Sequence, residues 1–205
     1  MEINATLVKE LRDRSGAPMM DCKSALTEAR GDLDQAHKIL RQRGQATAAK
    51  RSTKATSEGA VGSYIHGGGR IGVLVEVNCE TDFVARTADF QSLVKDLAMH
   101  IAASEPRFID RDEVTEDVLR DERAIYRQQA LQTGKPEAVV DKIVTGKMEK
   151  FYQEFCLVEQ PFVRDPNVTV KDMINGIITK VGENIRVRRF VRFVLGQEDR
   201  RRGTV

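Results

Sequence analysis

The stretch Asn78-Cys79-Glu80-Thr81-Asp82-Phe83-Val84-Ala85 lies between two segments of different periodicity. Before it, Ile71, Val73, Val75 and Val77 alternate with other residues across positions 70–78, which predicts a half-buried strand. After it, Phe90, Leu93, Val94, Leu97, Ala98 and Ile101 recur at helical spacing. A strand-to-helix junction exposes backbone N–H groups and short side chains, and binding residues are often found on such connections. Asp82 and Phe83 are adjacent, so they do not share a face of a helix or strand, and a partner touching both must wrap around the turn. Composition alone favours a plainer arrangement, with Phe83 packed under its own sheet and Asp82 capping the next turn, because large apolar side chains usually lie inside.

Working outward toward the N-terminus, the strand is preceded by Val61, Ser63 and Ile65 in alternation and then Gly67-Gly68-Gly69, which predicts a hairpin. The triple glycine lacks the Lys-Ser/Thr ending of a phosphate-binding loop and leads into a strand, so it is read as a turn. His66, at the strand end, is read as a solvent-facing polar residue. Residues 45–57 are rich in Ala, Thr, Ser, Lys and Arg and predict a basic linker, helical in its Ala-rich first half. No aromatic residue is interleaved there for base stacking. Residues 1–44 predict a three-helix module. Asn4 caps a first helix carrying Leu7, Val8 and Leu11, and a second spans 20–30 with Cys22, Ala25, Leu26 and Ala29 inward. A third is capped by Asp34, carries Ala36, Ile39 and Leu40, and closes at Gly44. Met19 and Met20, after Ala17-Pro18, suit either an adaptable partner contact or gap-filling in the small core.

Toward the C-terminus, Glu105-Pro106 ends the long helix and Phe108-Ile109 suggests a short strand. Thr115 opens a helix with Val118, Leu119, Ile125 and Tyr126, and Pro136 starts another carrying Val140, Met148, Phe151 and Phe155. Thr169 caps a last helix through Ile174, Ile177 and Ile178, which Gly182 ends, and 185–195 reads as a strand with charged flanks. The Arg200-Arg201-Arg202 tail, 197–205, is expected to be disordered. The fold class is α+β: a helical module, a linker, and a core domain over 58–196 with a small antiparallel sheet and packed helices.

Composition narrows the function. The formal net charge is +2, which argues against a general nucleic-acid binder. The three cysteines have no metal-ligand spacing and read as buried thiols of a reducing compartment. His37, His66 and His100 are the only histidines, and none sits in a recognisable catalytic motif. No apolar run approaches the ~20 residues that span a bilayer, and a cytoplasmic, non-membrane protein without cofactor or metal is expected.

The residues also resemble a family. Gly16-Ala17-Pro18-Met19-Met20-Asp21-Cys22, the basic linker, the 78–85 stretch, Gly134-Lys135-Pro136, Lys147-Met148-Glu149-Lys150-Phe151-Tyr152, Glu159-Gln160-Pro161-Phe162-Val163 and Gly182-Glu183-Asn184-Ile185 are similar to translation elongation factor Ts over nearly the whole chain. The resemblance implies a guanine nucleotide exchange factor, not an enzyme, whose partner is the GTPase elongation factor Tu. It implies that Thr81, Asp82, Phe83 and Val84 enter that GTPase near its Mg²⁺ and nucleotide site. It further implies that the N-terminal unit is similar in fold to ubiquitin-associated domains and lies against the GTPase domain, with Met19 and Met20 as contact residues, and that His66 touches another domain of the partner. Long members of the family carry two copies of the core unit and this chain has room for one. Short members pair as homodimers, so a 2:2 complex with the GTPase is expected, joined without disulfides along the partly apolar edge at 185–195.

Overall fold

The protein is described by a computed structural model covering residues 3–134 and 136–197. Nearly all of the basic tail expected at 197–205 lies outside the described residues. In chain order the main elements are α1 (Ala5–Ser15), α2 (Met19–Glu28), α3 (Leu33–Arg51), β1 (Glu58–His66), β2 (Ile71–Cys79), α4 (Asp82–Ala85), α5 (Ala88–Ser104), α6 (Glu116–Leu131), α7 (Glu137–Phe155), β3 (Pro161–Phe162), β4 (Asp165–Thr169), α8 (Val170–Val181) and β5 (Ile185–Val194). The fold is α+β. The chain divides into a first unit, everything up to Met99 together with Lys171 onward, and a second unit, His100–Val170.

In the first unit, α1–α3 bury Val8, Leu11, Cys22, Ala25, Leu26 and Ala36 around a small core. Asn4 caps α1 as expected, its side-chain oxygen accepting from the Thr6 N–H at 3.0 Å. The third helix departs from the sequence reading at both ends. Asp32, not Asp34, caps it by accepting from the Gln35 N–H at 2.9 Å, and it runs past Gly44 to Arg51. Gly44 marks a close helix approach instead of a stop. A Cβ there would meet Thr179 Oγ1 of α8 at 3.4 Å, and the Arg41–Asp172 ion pair at 2.8 Å joins the same two helices.

The sheet has the order β1-β2-β5, antiparallel throughout. Val73, Val75, Val77 and Cys79 of β2 are buried, as are Ile185 and Val187 of β5 opposite its end. Helix α5 buries Phe90, Leu93, Val94, Leu97 and Ala98. Gly62 lets β1 pass over it, since a Cβ at that position would sit 2.2 Å from Val94 Cγ1. The register of β2 and β5 shifts between Glu76 and Val77, which leaves Arg189 opposite Glu76. Arg189 Nε donates to Glu76 at 2.7 Å, and this bond holds the Glu76 carboxyl below its usual range. The outer face of the sheet carries Val61, Ile65, Leu74 and Phe193, all exposed.

In the second unit, α6 and α7 form a helical hairpin over Val114, Leu119, Met148, Phe151 and Cys156. Thr115 caps α6 as expected. Pro136 stands at the N-cap of α7, one position before the first helical residue where the sequence placed it. Phe108 makes a single parallel bridge to Cys156 instead of a strand. The β3–β4 hairpin was not foreseen, because a two-residue strand carries no periodicity.

Candidate functional site

The candidate residues Thr81, Asp82, Phe83 and Val84 lie at the junction after β2. Thr81 has extended backbone (φ −129°, ψ 155°) and caps α4, its Oγ1 accepting from the Val84 N–H at 3.4 Å. The cap is therefore Thr81, where composition had pointed to Asp82. α4 is a single turn of four residues, too short to persist by its own hydrogen bonds. Its stability comes from what surrounds it. Val84 and Ala85 are buried. Thr87 Oγ1 donates to the Val84 carbonyl at 2.8 Å and accepts from the Phe90 N–H at 3.3 Å, which ties α4 to the start of α5. Gln91 Nε2 donates to the Ala85 carbonyl at 2.7 Å.

With Val84 inward, the turn presents its neighbours outward. Phe83 is 77% exposed, the most exposed of the large hydrophobic side chains among the described residues. The expectation that it packs under its own sheet is overturned: in a one-turn helix anchored through Val84 and Ala85, the residue before them faces away. Asp82 is also exposed, and its carboxylate accepts from Arg86 at 2.7 Å, one helical turn on.

A second chain segment clamps this junction. Both carboxylate oxygens of Glu183 are occupied by Thr81: Oε2 accepts from the Thr81 N–H at 3.0 Å and Oε1 from the Thr81 hydroxyl at 2.7 Å. The next residue, Asn184, is buried and donates its backbone N–H to Glu80 Oε1 at 2.6 Å. Its side-chain Nδ2 donates to the carbonyls of Lys54 at 2.8 Å and Ser52 at 3.5 Å, just beyond α3. Cys79 Sγ donates to the Thr81 carbonyl at 3.1 Å. Burial, and next the Glu183 charge, push the Cys79 thiol up to about 11, so it stays protonated and can donate. Sequence reasoning gave Glu183 and Asn184 no role. The only signal was their place in Gly182-Glu183-Asn184-Ile185, between a helix stop and a strand.

The other candidate residues lie apart from this junction. His66 is exposed at the far end of β1, paired with Ile71, whereas Cys79 pairs with Glu58. That separates His66 from the junction by about the length of β2, roughly 26 Å at ~3.3 Å per residue. Its Nδ1 lies 3.1 Å from the Tyr64 hydroxyl. Met19 and Met20 open α2 and are 53% and 72% exposed, so neither fills the core of the helical bundle. Among the described residues, no group of His, Cys, Asp and Glu could hold a metal ion, and no helix is long and apolar enough to cross a membrane.

Comparison with known proteins agrees with the sequence resemblance. The profile of the family described as "Elongation factor TS" matches residues 33–197. The chain is 61% identical to elongation factor Ts of Moorella thermoacetica over 95% of its own length and 96% of that protein. It is 57% identical to elongation factor Ts of Solibacter usitatus, covering 95% and 92% of the two chains. Elongation factor Ts of Geobacter sulfurreducens is 57% identical, over 96% and 91%. The protein belongs to the elongation factor Ts family.

Proposed function

We propose that this protein is a cytoplasmic guanine nucleotide exchange factor for the GTPase elongation factor Tu, and that the Thr81–Val84 segment is its working edge. The segment is presented through residues 81–83, because Val84, expected to enter the partner, is buried in this chain. The observation that carries this reading is Phe83, an aromatic side chain 77% exposed on a turn anchored through Thr81, Val84 and Ala85. An exposed large apolar group on a rigid mount is a binding element. Burying it in a partner supplies roughly 1.5–3 kcal/mol. A tenfold loosening of nucleotide requires about 1.4 kcal/mol of coupling, so Phe83 acts alongside other contacts. Met19, Met20 and His66, all exposed, are the proposed further contacts.

The mechanism follows from linkage. A factor that weakens nucleotide binding is bound more weakly, by the same ratio, when nucleotide is present. The complex with both ligands is a transient from which either one leaves. Phe83 acts as the wedge. Asp82 acts electrostatically, since a carboxylate near a Mg²⁺ shell competes for its ligands or their hydrogen bonds. Its bond to Arg86 is an exposed i,i+4 pair worth about 0.3–0.5 kcal/mol, which is readily given up. No covalent step is involved. Stopped-flow release of labelled GDP from elongation factor Tu tests the reading: release should accelerate with the concentration of this protein, and a flat response would remove it.

We also propose that two copies pair through the sheet that ends in β5, giving a 2:2 complex. β5 is a sheet edge, and the apolar outer face bearing Val61, Ile65, Leu74 and Phe193 lies beside it. Edges and apolar faces are commonly satisfied by closed twofold association. Light scattering at micromolar concentration should give twice 23.0 kDa. A monomeric mass with full exchange activity would show that one copy suffices.

A further inference from the structure

The strongest feature not used by this mechanism is the pair Glu183–Asn184, in the turn between α8 and β5. We propose that Glu183 is a positioning residue that holds the 81–83 segment in its binding-ready shape, and that Asn184 ties the same turn to the end of α3. The proposal rests on the reading that this segment acts on the GTPase.

Thr81 has four polar functions and all are engaged. Its N–H and hydroxyl proton go to the two oxygens of Glu183. With the hydroxyl proton directed to Glu183, the Oγ1 lone pairs are left to receive the Val84 N–H. Its carbonyl accepts from Cys79 Sγ at 3.1 Å and from the Ala85 N–H at 3.3 Å. The direction of the Thr81 hydroxyl, and with it the cap of α4, is thus set by a carboxylate 102 positions away in the chain. Charge-assisted bonds of this kind are stronger than neutral ones. Glu80 is held in the same way on the other side of the strand end, by Asn184 N–H at 2.6 Å and by Arg51 at 3.6 Å.

Releasing Thr81 leaves β2, the core and the Thr87 and Gln91 bonds as they are but removes the cap of a four-residue turn with few hydrogen bonds of its own, loosening its first residues. Phe83 then samples many directions. If the competent fraction falls to about one tenth, the apparent affinity for the partner falls about tenfold, while the rate at saturation changes little because the partner selects the competent form. The loss therefore appears in the concentration of factor that gives half-maximal release.

Glu183→Gln is the test, because it keeps the size and hydrogen-bonding nature of the side chain but turns an N–H₂ group toward the Thr81 N–H or hydroxyl. Thr81→Val breaks the same pair from the other side and serves if Glu183→Gln fails to fold. In the free full-length protein, amide hydrogen exchange at Thr81 and Val84 should speed up at least tenfold, with Val75 and Val77 unchanged. With elongation factor Tu and labelled GDP, the half-saturating concentration should rise about tenfold. Thr81→Ser, which keeps both donors to Glu183, should leave the exchange of the residue-81 and Val84 amides at the parent's rate. In a Phe83→Ala background, Glu183→Gln should add nothing, because it acts through Phe83. Protected amides, an unchanged half-saturating concentration, or additive effects would each overturn the proposal. If Phe83→Ala alone leaves release unchanged, the reading of the segment fails and the proposal with it. If Phe83→Ala slows release while Glu183→Gln leaves the half-saturating concentration unchanged, the proposal alone fails.

Discussion

Two short polar clamps in this chain have opposite outcomes. In the first unit, Glu183, Thr81 and Thr87 pin a single helical turn and leave its phenylalanine in water. In the second unit, His100 and Gln160 pin a short hairpin and bury its phenylalanine. His100 Nδ1 accepts from the Val163 N–H at 3.3 Å, which assigns the ring proton to Nε2, 2.9 Å from Gln160 Oε1. The Gln160 amide then donates to the carbonyls of Ser104 and Glu154. Phe162 is buried, its ring 5.9 Å from that of His100. Among the described residues, no buried side-chain polar atom lacks a partner, so the buried clamp is complete. They differ in what they present. The buried clamp serves stability, and the exposed one holds a binding group away from the core at little cost to the fold.

The largest expected effect separates these two roles directly. Phe83→Ala should slow catalysed GDP release about 10- to 100-fold, corresponding to roughly 1.5–3 kcal/mol of lost burial in the partner. Its unfolding free energy should stay within about 0.5 kcal/mol of the parent, as for an exposed position. A large drop in urea midpoint with exchange intact per folded molecule would place Phe83 in a core and erase the contrast.

The buried clamp should give the reverse. Gln160→Leu leaves the His100 Nε2–H without an acceptor, which costs about 1–3 kcal/mol of stability, while exchange per folded molecule is unchanged. Acid probes the same bond. Burial, partly opposed by the Gln160 hydrogen bond, holds the His100 pKa below its usual 6.5, so the unfolded chain binds a proton first as pH falls. The His100 contribution is complete above about pH 6.5. It is lost as pH falls from there toward the lower folded pKa, because a second ring N–H would oppose the Val163 N–H. Urea midpoints measured from pH 7.5 to 5 should fall in the parent and fall less in His100→Gln. Equal slopes would exclude His100 as the source.

Much of the scaffold could be read from sequence because its signals are local. The caps at Asn4 and Thr115 precede apolar periodic runs, and the strand at β2 alternates cleanly. Gly44 misled because a helix stop and a close helix crossing both select glycine, and only the position of α8 distinguishes them. Phe83 was ambiguous for a related reason. Residue type gives a preference for burial, but the direction of a one-turn helix depends on which neighbour is anchored, here Val84. Glu183 could not be found by spacing at all, since its partner is 102 positions distant and the bond exists only once β5 lies beside β2.

The smallest expected effect concerns Asp82 and tests the electrostatic half of the exposed clamp. The Asp82–Arg86 pair is exposed on both sides, so Asp82→Asn should change unfolding free energy by no more than about 0.5 kcal/mol. If the carboxylate acts by competing within the Mg²⁺ shell, its loss should slow GDP release by only about fivefold, near 1 kcal/mol, because Phe83 still enters. The sharper readout is the Mg²⁺ dependence. With millimolar Mg²⁺ the deficit should be complete, and with the metal chelated it should vanish, since nothing is left for the carboxylate to disturb. Arg86→Ala should move release the other way at millimolar Mg²⁺, because it frees the carboxylate before the partner arrives. A deficit in Asp82→Asn that is the same with and without Mg²⁺ would reduce Asp82 to a neighbour of Phe83, and the exposed clamp would then present an aromatic group alone.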